Sequence, residues 1–337
     1  MPAPAGLIQQ LDQFLHRRRL LEPRARILAA CSGGADSTAL VRLLYEVNQS
    51  RYWKWKLIIG HVDHGLRGKA SAKDRKFVMD LGKQLGLPVR TRKLQLVKKG
   101  ATKKVSEAAA RKARLAALAT MAQQAKCTII ALGHHADDQA ETILMRLLRG
   151  AGARGLSGMA LGRKIEKLKL VRPLLQQRRQ ELRDWLREVG QKWREDKTNQ
   201  EQKFLRNRVR HELLPLLEKY QPRIREILFR VSENSRAAHC VLNRKAMALL
   251  KKSKTRRGRK ILLRTGDFTK VPRAAATLAL RAAIGEAGGG TDRIHYATLS
   301  DAIERIRKGQ THGTLHFSGS TTLRFARGMI YLEPTTK

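Results

Sequence analysis

Two short stretches concentrate residue types that handle phosphate and amine chemistry. The first, Cys31-Ser32-Gly33-Gly34-Ala35-Asp36-Ser37, leaves an apolar run (RILAAC) and opens a helical one (STALVRLLYEV). A strand, a glycine turn and a helix in that order gather backbone N–H groups and the positive helix end at one point, which suits a phosphate. Gly33 and Gly34 let the backbone approach the oxygens, and Ser32 and Ser37 add hydroxyl donors. No lysine follows, so the loop is not the GxxxxGK[ST] type. Asp36 would repel phosphate unless Mg²⁺ lay between them, which reads it as a metal or water-mediated contact. The plainer alternative is a serine-rich N-cap after a glycine turn.

The second stretch, Leu132-Gly133-His134-His135-Ala136-Asp137-Asp138-Gln139-Ala140-Glu141-Thr142, again leaves an apolar run and enters a helix. Asp137 and Glu141 are four apart and share a helix face, and Asp138 lies three before Glu141. Acids at a helix start are stabilised by its dipole, so simple capping is the competing explanation. Three acids and two histidines at one strand end exceed what capping needs, and suit Mg²⁺ or an amine. Zinc is disfavoured, because thiolate ligands and a closed four-ligand spacing are missing. A third segment, His61-Val62-Asp63-His64-Gly65-Leu66-Arg67, reads as a wall of a nucleotide pocket, or as a His/Asp turn with Gly65 at positive φ. Gly150-Ala151-Gly152-Ala153-Arg154-Gly155 matches GxGxxG but follows a helix rather than a strand. It is therefore a helix stop and loop, not a dinucleotide site.

The elements that must position these residues alternate. Strands are predicted at Arg26–Cys31, Lys56–Asp63, Pro88–Leu94 and Cys127–Gly133, with helices at Ser37–Val47, Ala70–Leu85 and Ser106–Gln124. Such alternation implies βαβ units, a parallel sheet and right-handed crossovers, hence an α/β doubly wound fold. In a sheet of order 3-2-1-4-5, ligands bind where the order reverses, so the loops after strands one and four open onto one crevice. A fifth strand at Lys167–Val171 leads to helices at Gln176–Val189 and Phe204–Leu217. The domain boundary is expected near Tyr220–Pro222, giving a catalytic domain over 1–220 and a smaller α+β domain over 221–337. In the latter, helices are predicted at Arg223–Leu250, Ala274–Glu286 and Tyr296–Lys308, a strand at Ile261–Arg264, and a β-rich tail from Thr314 to Glu333.

The 337 residues carry 70 Lys and Arg against 28 Asp and Glu, a net charge of +42, which calls for an anionic partner, nucleic acid first. Basic side chains cluster after the glycine loop at Arg154, Arg163, Lys164, Lys167, Lys169, Arg172, Arg178 and Arg179, and again at Arg206, Arg208 and Arg210. The stretch Lys251–Lys260 (KKSKTRRGRK), with Lys251, Lys252, Arg256 and Arg257, reads as a solvated loop or a nucleic-acid contact. Phosphate neutralisation of this kind gives affinity and position rather than sequence readout. Apolar residues make up 42% of the chain, enough for a core, yet no run spans a membrane. The start lacks a basic region followed by an apolar one, so no secretory signal is expected. Cys31, Cys127 and Cys240 are odd in number and widely spaced, which predicts neither a disulfide framework nor a CxxC pair and suits a reducing, cytoplasmic setting.

With these segments in view, the chain resembles the tRNA(Ile)-lysidine synthetase family of N-type ATP pyrophosphatases, most strongly over residues 23–220. SGGADS at 32–37 marks the wider PP-loop superfamily. HVDHGLR at 61–67, the helix around Glu107, Ala110, Arg111 and Arg114, LGHHADDQAETILMRLLRGAGARGL at 132–156 and EDKTNQEQKFLRNRVRHELLPLL at 195–217 narrow the resemblance. It implies that ATP adenylates the wobble cytidine of an isoleucine tRNA with a CAU anticodon at its C2 oxygen. Free L-lysine then attacks C2, and AMP leaves. On this resemblance, residues Ser32–Ser37, Ala35 included, hold the pyrophosphate with Mg²⁺, and His61, His64 and His134 border the nucleotide. Asp137 and Glu141 bind or orient lysine, Asp36 and Asp137 meet the metal, Arg111 meets the phosphates or the adenylate, and Arg206 closes over the site. Arg154, Arg163, Lys164, Arg178, Arg179, Arg208, Arg210, Lys251, Lys252, Arg256 and Arg257 are the expected tRNA contacts. Longer members carry a further C-terminal domain, and this chain's basicity is expected to take its place; the oligomeric state stays open. A related tRNA thiolase would need cysteine pairs or an iron–sulfur cluster, and a small-molecule AMP-forming synthetase would not need +42.

Overall fold

The computed structural model describes residues 4–49, 52–63, 69–94, 106–195, 205–258, 260–288, 294–317 and 321–334. The chain divides into two compact units, Met1–Glu233 and Asn234–Lys337. The division falls inside a long helix rather than at the 220/221 boundary read from the sequence.

In the first unit the elements run α1 (Pro4–Arg17), β1 (Arg26–Ala30), α2 (Ala35–Asn48), β2 (Lys56–Asp63), α3 (Lys69–Leu85), β3 (Val89–Lys93), α4 (Glu107–Gln124) and β4 (Ile129–Ala131). They continue with α5 (Ala136–Leu147), α6 (Ala153–Leu156), β5 (Gly162–Ile165), β6 (Leu168–Val171) and α7 (Arg179–Glu188). Then come α8 (Leu205–Arg208), a π-helical turn (Val209–Leu213), α9 (Leu214–Tyr220) and α10 (Ile224–Ser253). The sheet order is β3-β2-β1-β4-β6-β5, parallel except for the β5–β6 pair.

Strand alternation explains why both faces are covered. Along β2, Leu57 and Ile59 enter a core with Leu11 and Leu15 of α1, Leu40 and Leu44 of α2, and Leu182 and Leu186 of α7. Ile58 and Val62 face the other way, into a core with Leu118 and Met121 of α4 and Ile130 of β4. Each fully buried leucine contributes about 1.5–3 kcal/mol, which fixes the register of these strands. At the edge, β3 (VRTRK) is largely exposed, and its charged residues discourage further pairing.

Several expectations are revised by tertiary context. The single fifth strand is the second arm of a hairpin, turned at Glu166 with φ 51°. Helix α7 begins at Arg179 rather than Gln176, because the Arg178 amide is capped by the Glu181 carboxylate at 2.8 Å. α1 was not foreseen; Leu7, Leu11, Phe14 and Leu15 give it a buried stripe at helical spacing.

The second unit holds the rest of α10, then β7 (Lys254–Arg257), β8 (Lys260–Arg264), α11 (Thr265–Thr269), α12 (Arg273–Glu286), α13 (Tyr296–Arg307), β9 (Thr314–Phe317), β10 (Thr321–Ala326) and β11 (Met329–Pro334). The strands form an antiparallel sheet ordered β7-β8-β11-β10-β9, against which α12 and α13 bury Leu280, Ile284, Leu299 and Ile303. The basic stretch 251–260 is thus not a loop. It is a helix end running into the β7–β8 hairpin, since Ile261 and Leu263 in β8 bury against this core and draw their neighbours into the ladder.

Candidate active site

The β1–α2 loop is built by its own hydroxyls. Gly33 sits at φ +96°, a left-handed conformation open to glycine. The Ser37 hydroxyl donates to the Gly34 carbonyl at 3.0 Å and accepts from the Ser32 amide at 3.1 Å. Thr38 donates its hydroxyl to the Gly33 carbonyl at 3.3 Å. With the side chains thus engaged on the loop, the first-turn amides of α2 at Ala35, Asp36 and Ser37 lie at a helix start, where no intrahelical acceptor exists. From the side, Arg194 donates its amide to the Gly33 carbonyl at 2.8 Å and its guanidinium to Asp74 at 3.2 Å.

The second loop abuts the first. A Cβ on Gly133 would lie 2.9 Å from the Asp36 carbonyl oxygen, so only glycine allows the two turns this close. The reversal between β1 and β4 therefore carries both motifs, as the parallel topology demands. Between them and α4 opens a cavity of about 220 Å³, lined by the Ser32–Ser37 loop, Gly60, Val62, Arg114, Leu118 and His134.

Here two adjacent histidines are held in opposite charge states. Burial pushes His134 down to about 3, helped by Arg172, Arg111 and Arg114 against the opposing Asp138, so its imidazole is neutral. Its Nδ1 is buried with no hydrogen-bond partner. Burial also opposes charge on His135, but Asp138, Asp137 and Asp36 outweigh it and push His135 up to about 10. Its ring nitrogens lie 3.5 Å from an oxygen of each of these three carboxylates. The Asp138 amide, 3.4 Å from His135 Nδ1, competes with a proton there, yet one long amide contact is weaker than three carboxylates. The Asp138 carboxylate accepts in return from the His135 amide at 3.2 Å, which completes a capping box on α5.

The acids behind this box are neutralised by arginines from later helices. Glu141 is fully buried and accepts from Arg206 Nε at 2.7 Å and Arg210 Nε at 2.6 Å. Asp138 accepts from Arg206 Nη2 at 2.7 Å. Asp137 accepts from the Arg179 amide and from Arg225 Nε, each at 2.8 Å, and Arg225 also pairs with Glu218. Burial would raise both aspartates, but His135 and these donors hold them well below the usual carboxylate range. The π turn at Val209–Leu213 lies between Arg206 and the rest of its helix. Asp36 differs from the other acids: its Oδ1 is buried without a hydrogen-bond partner, with Arg179 Nε 3.7 Å away.

The sequence-predicted residues accordingly separate. Ser32–Ser37, Asp36, His134 and the Asp137–Glu141 turn come together, with exposed Arg111 one helical turn from the cavity-lining Arg114. His61 is buried on the opposite face of β2 from Gly60 and Val62, its Nδ1 2.9 Å from the Cys31 carbonyl; it supports the loop from behind. His64 lies outside the described residues. Among the expected tRNA contacts, Arg210 is engaged by Glu141, and Arg179 sits beside Asp36. Arg178 bonds Glu226 and exposed Arg208 bonds Glu212. Arg154, Arg163 and Lys164 are exposed in the first unit, and Lys251, Lys252, Arg256 and Arg257 in the second. Sequence reasoning missed the roles of His135 and Asp138, although their N-cap and N3 spacing is a readable signal. It also missed Arg194 and Arg225, whose partners Asp74 and Asp137 lie 120 and 88 residues away.

Residues 5–217 match the model of the PP-loop domain family. The chain belongs to that family. Among curated relatives, a tRNA(Ile)-lysidine synthase of Symbiobacterium thermophilum is 42% identical over 211 residues, covering 63% of this chain and 43% of that protein. One from Geobacter sulfurreducens is 36% identical over 319 residues, covering 92% and 65%. The chain thus spans 43% and 65% of the length of these two relatives. Among solved structures, the U34-tRNA thiolase NcsA from Methanococcus maripaludis, with its [4Fe-4S] cluster, aligns at a TM-score of 0.59 and 19% identity. It covers 69% of this chain and 79% of that one, and shares the PP-loop fold. In this PP-loop chain the two first-unit cysteines, Cys31 and Cys127, are buried and free, with burial pushing both thiols up. No described helix is long and apolar enough to cross a membrane.

Proposed function

We propose that this chain uses ATP to join free L-lysine to C2 of the wobble cytidine of an isoleucine tRNA, through an adenylated RNA intermediate. The meeting of the two helix-opening loops at Gly133 and Asp36 carries this reading, together with relatives named for that reaction. The amides at the start of α2 stabilise the departing pyrophosphate, and Arg114, with Arg111 beside it, faces the negative charge that builds at the transferred phosphoryl group. Val62, Leu118 and Leu132 offer an apolar wall for the adenine. Neutral His134 meets the nucleotide by hydrogen bonding without adding charge.

Asp36 Oδ1, buried with no hydrogen bond and only the long 3.7 Å approach of Arg179 Nε, fits a divalent cation, and Mg²⁺ bound there would screen the phosphates from the carboxylate. Asp137 fits it less well, since Arg225 and the Arg179 amide already occupy its oxygens. Asp137 and Glu141 instead orient the arginines that neutralise them, and Glu141 takes the lysine ammonium by exchanging an arginine for it. Arg206, one third exposed, is the partner that can yield to it. The ε-amine must shed a proton before attacking C2; the C2–oxygen bond then breaks and AMP leaves.

Cys31 and Cys127 are buried and only Cys240, in the second unit, is exposed, which disfavours the thiolase alternative, since that needs several accessible sulfur ligands at one site. The test is pyrophosphate release from ATP with tRNA and lysine each supplied or omitted. Release that requires the RNA, with product that requires lysine, is expected. Release without RNA, or equal product with ornithine, would overturn the assignment.

A further inference from the structure

A second cavity in the first unit, about 430 Å³ and roughly twice the size of the one beside the Ser32–Ser37 loop, has no part in the chemistry above. It lies between α1, the 176–181 segment and the first turns of α10, and it reaches Ala136 at the start of α5. Five arginines and two glutamates line it. Both glutamates are already engaged. Glu226 accepts from Arg223 at 2.6 and 2.8 Å and from Arg178 at 3.2 Å, and Glu181 caps the Arg178 amide. Arg225 is held by Asp137 and Glu218. Two guanidiniums are left over: among the described residues neither Arg17 nor Arg230 has a carboxylate partner, and both are exposed. The same lining includes the exposed Gln10 and an edge of the buried rings of Phe14 and Phe229.

Two cations without carboxylate partners, Arg17 touching only the Gln13 carbonyl at 3.4 Å, in a cavity that also offers amide and apolar surface suit one ligand class, a phosphate ester joined to a base. We propose that this cavity binds a nucleotide of the RNA other than the reacting one, with Arg17 and Arg230 on its phosphodiester. The inference rests on the RNA-modifying reading. An RNA strand rather than a free nucleotide is favoured by the exposed basic run His16-Arg17-Arg18-Arg19, of which Arg18 pairs with Glu233, and by the chain's net charge of +42.

The test is binding of a fluorescently labelled tRNA transcript across a salt series. It compares the wild type, Arg17→Ala, Arg230→Ala, the double variant and Arg17→Lys/Arg230→Lys. Binding of a fluorescent AMP is measured alongside, and thermal melts confirm folding. Each alanine is expected to weaken RNA binding several-fold and to lower the log–log salt slope by about one, the two lysines restoring most of both. AMP binding should not change. Unaltered RNA affinity and slope in the double variant would overturn the proposal, as would a loss confined to AMP. RNA binding with these slopes but neither RNA-dependent pyrophosphate release nor lysine-dependent product would remove the proposed reaction and leave the cavity's assignment standing.

Discussion

Gly133→Ala tests the juncture on which the site depends. The added methyl would stand 2.9 Å from the Asp36 carbonyl oxygen and 3.2 Å from both the Asp36 carbonyl carbon and Ser37 Cα. All three are backbone atoms, so no side-chain rotation relieves the contact. An unstrained carbon–oxygen approach is roughly 3.3–3.6 Å, so the loops must part by about half an ångström. Overpacking of this kind costs about 1–3 kcal/mol of stability. A misplacement of about 1 Å costs on the order of 10²-fold in rate, which makes about tenfold the expected loss of pyrophosphate release here. Gly150→Ala is the control. Its φ is +73° with nothing within 4 Å of the new methyl, so it should cost about 1 kcal/mol of backbone strain and leave the reaction rate intact. The assay is single-turnover pyrophosphate release with saturating tRNA and ATP, alongside urea denaturation. Equal rates for Gly133→Ala and Gly150→Ala would refute the claim that the loop contact sets the nucleotide's position.

Three further outcomes follow from the same geometry. Asp36→Asn should lower pyrophosphate release on the order of 10²-fold while changing stability by less than about 1 kcal/mol, because its ion pairs are long and part-exposed; a large drop in denaturation midpoint would show that its role is structural. Glu141→Gln should destabilise the fold by about 3 kcal/mol in urea titrations, since it leaves Arg206 and Arg210 facing a neutral buried amide; an unchanged midpoint would contradict the ion-pair account. His135→Asn keeps a capping side chain but removes the charge. The raised His135 pKa stabilises the fold fully below the unfolded value of 6.5, and this contribution is lost as pH rises toward about 10. The stability gap between wild type and His135→Asn should therefore narrow by about 1.4 kcal/mol per pH unit across that window, and a pH-independent gap in denaturant titrations from pH 6 to 10 would show that His135 is not charged.

What the chain reveals locally and what it hides can be followed residue by residue. The strand–turn–helix pattern around Ser32–Ser37 and Gly133–Glu141 is written in contiguous residues, because apolar runs, glycine turns and caps act over a few positions. The parallel order followed from strand–helix alternation, since handed crossovers leave few topologies. The hairpin that puts β5 beside β6 did not follow, because its turn at Glu166 uses a residue that carries no turn signature. Glu141 looked like an open ligand because the local sequence shows an acid on a helix face. Its burial beneath Arg206 and Arg210, 65 and 69 residues on, depends on where a later helix lands.

Sequence alone thus determined the sheet, the two loops and the excess of positive charge. Only the tertiary structure decided how the charges are matched: it closed Asp137, Asp138 and Glu141 with arginines, left an oxygen of Asp36 without a hydrogen bond, and set neighbouring histidines to opposite protonation states. The physical reason is range. Backbone geometry and hydrophobic periodicity are properties of adjacent residues, whereas the cost of a buried charge is set by whichever groups folding brings within a few ångströms of it.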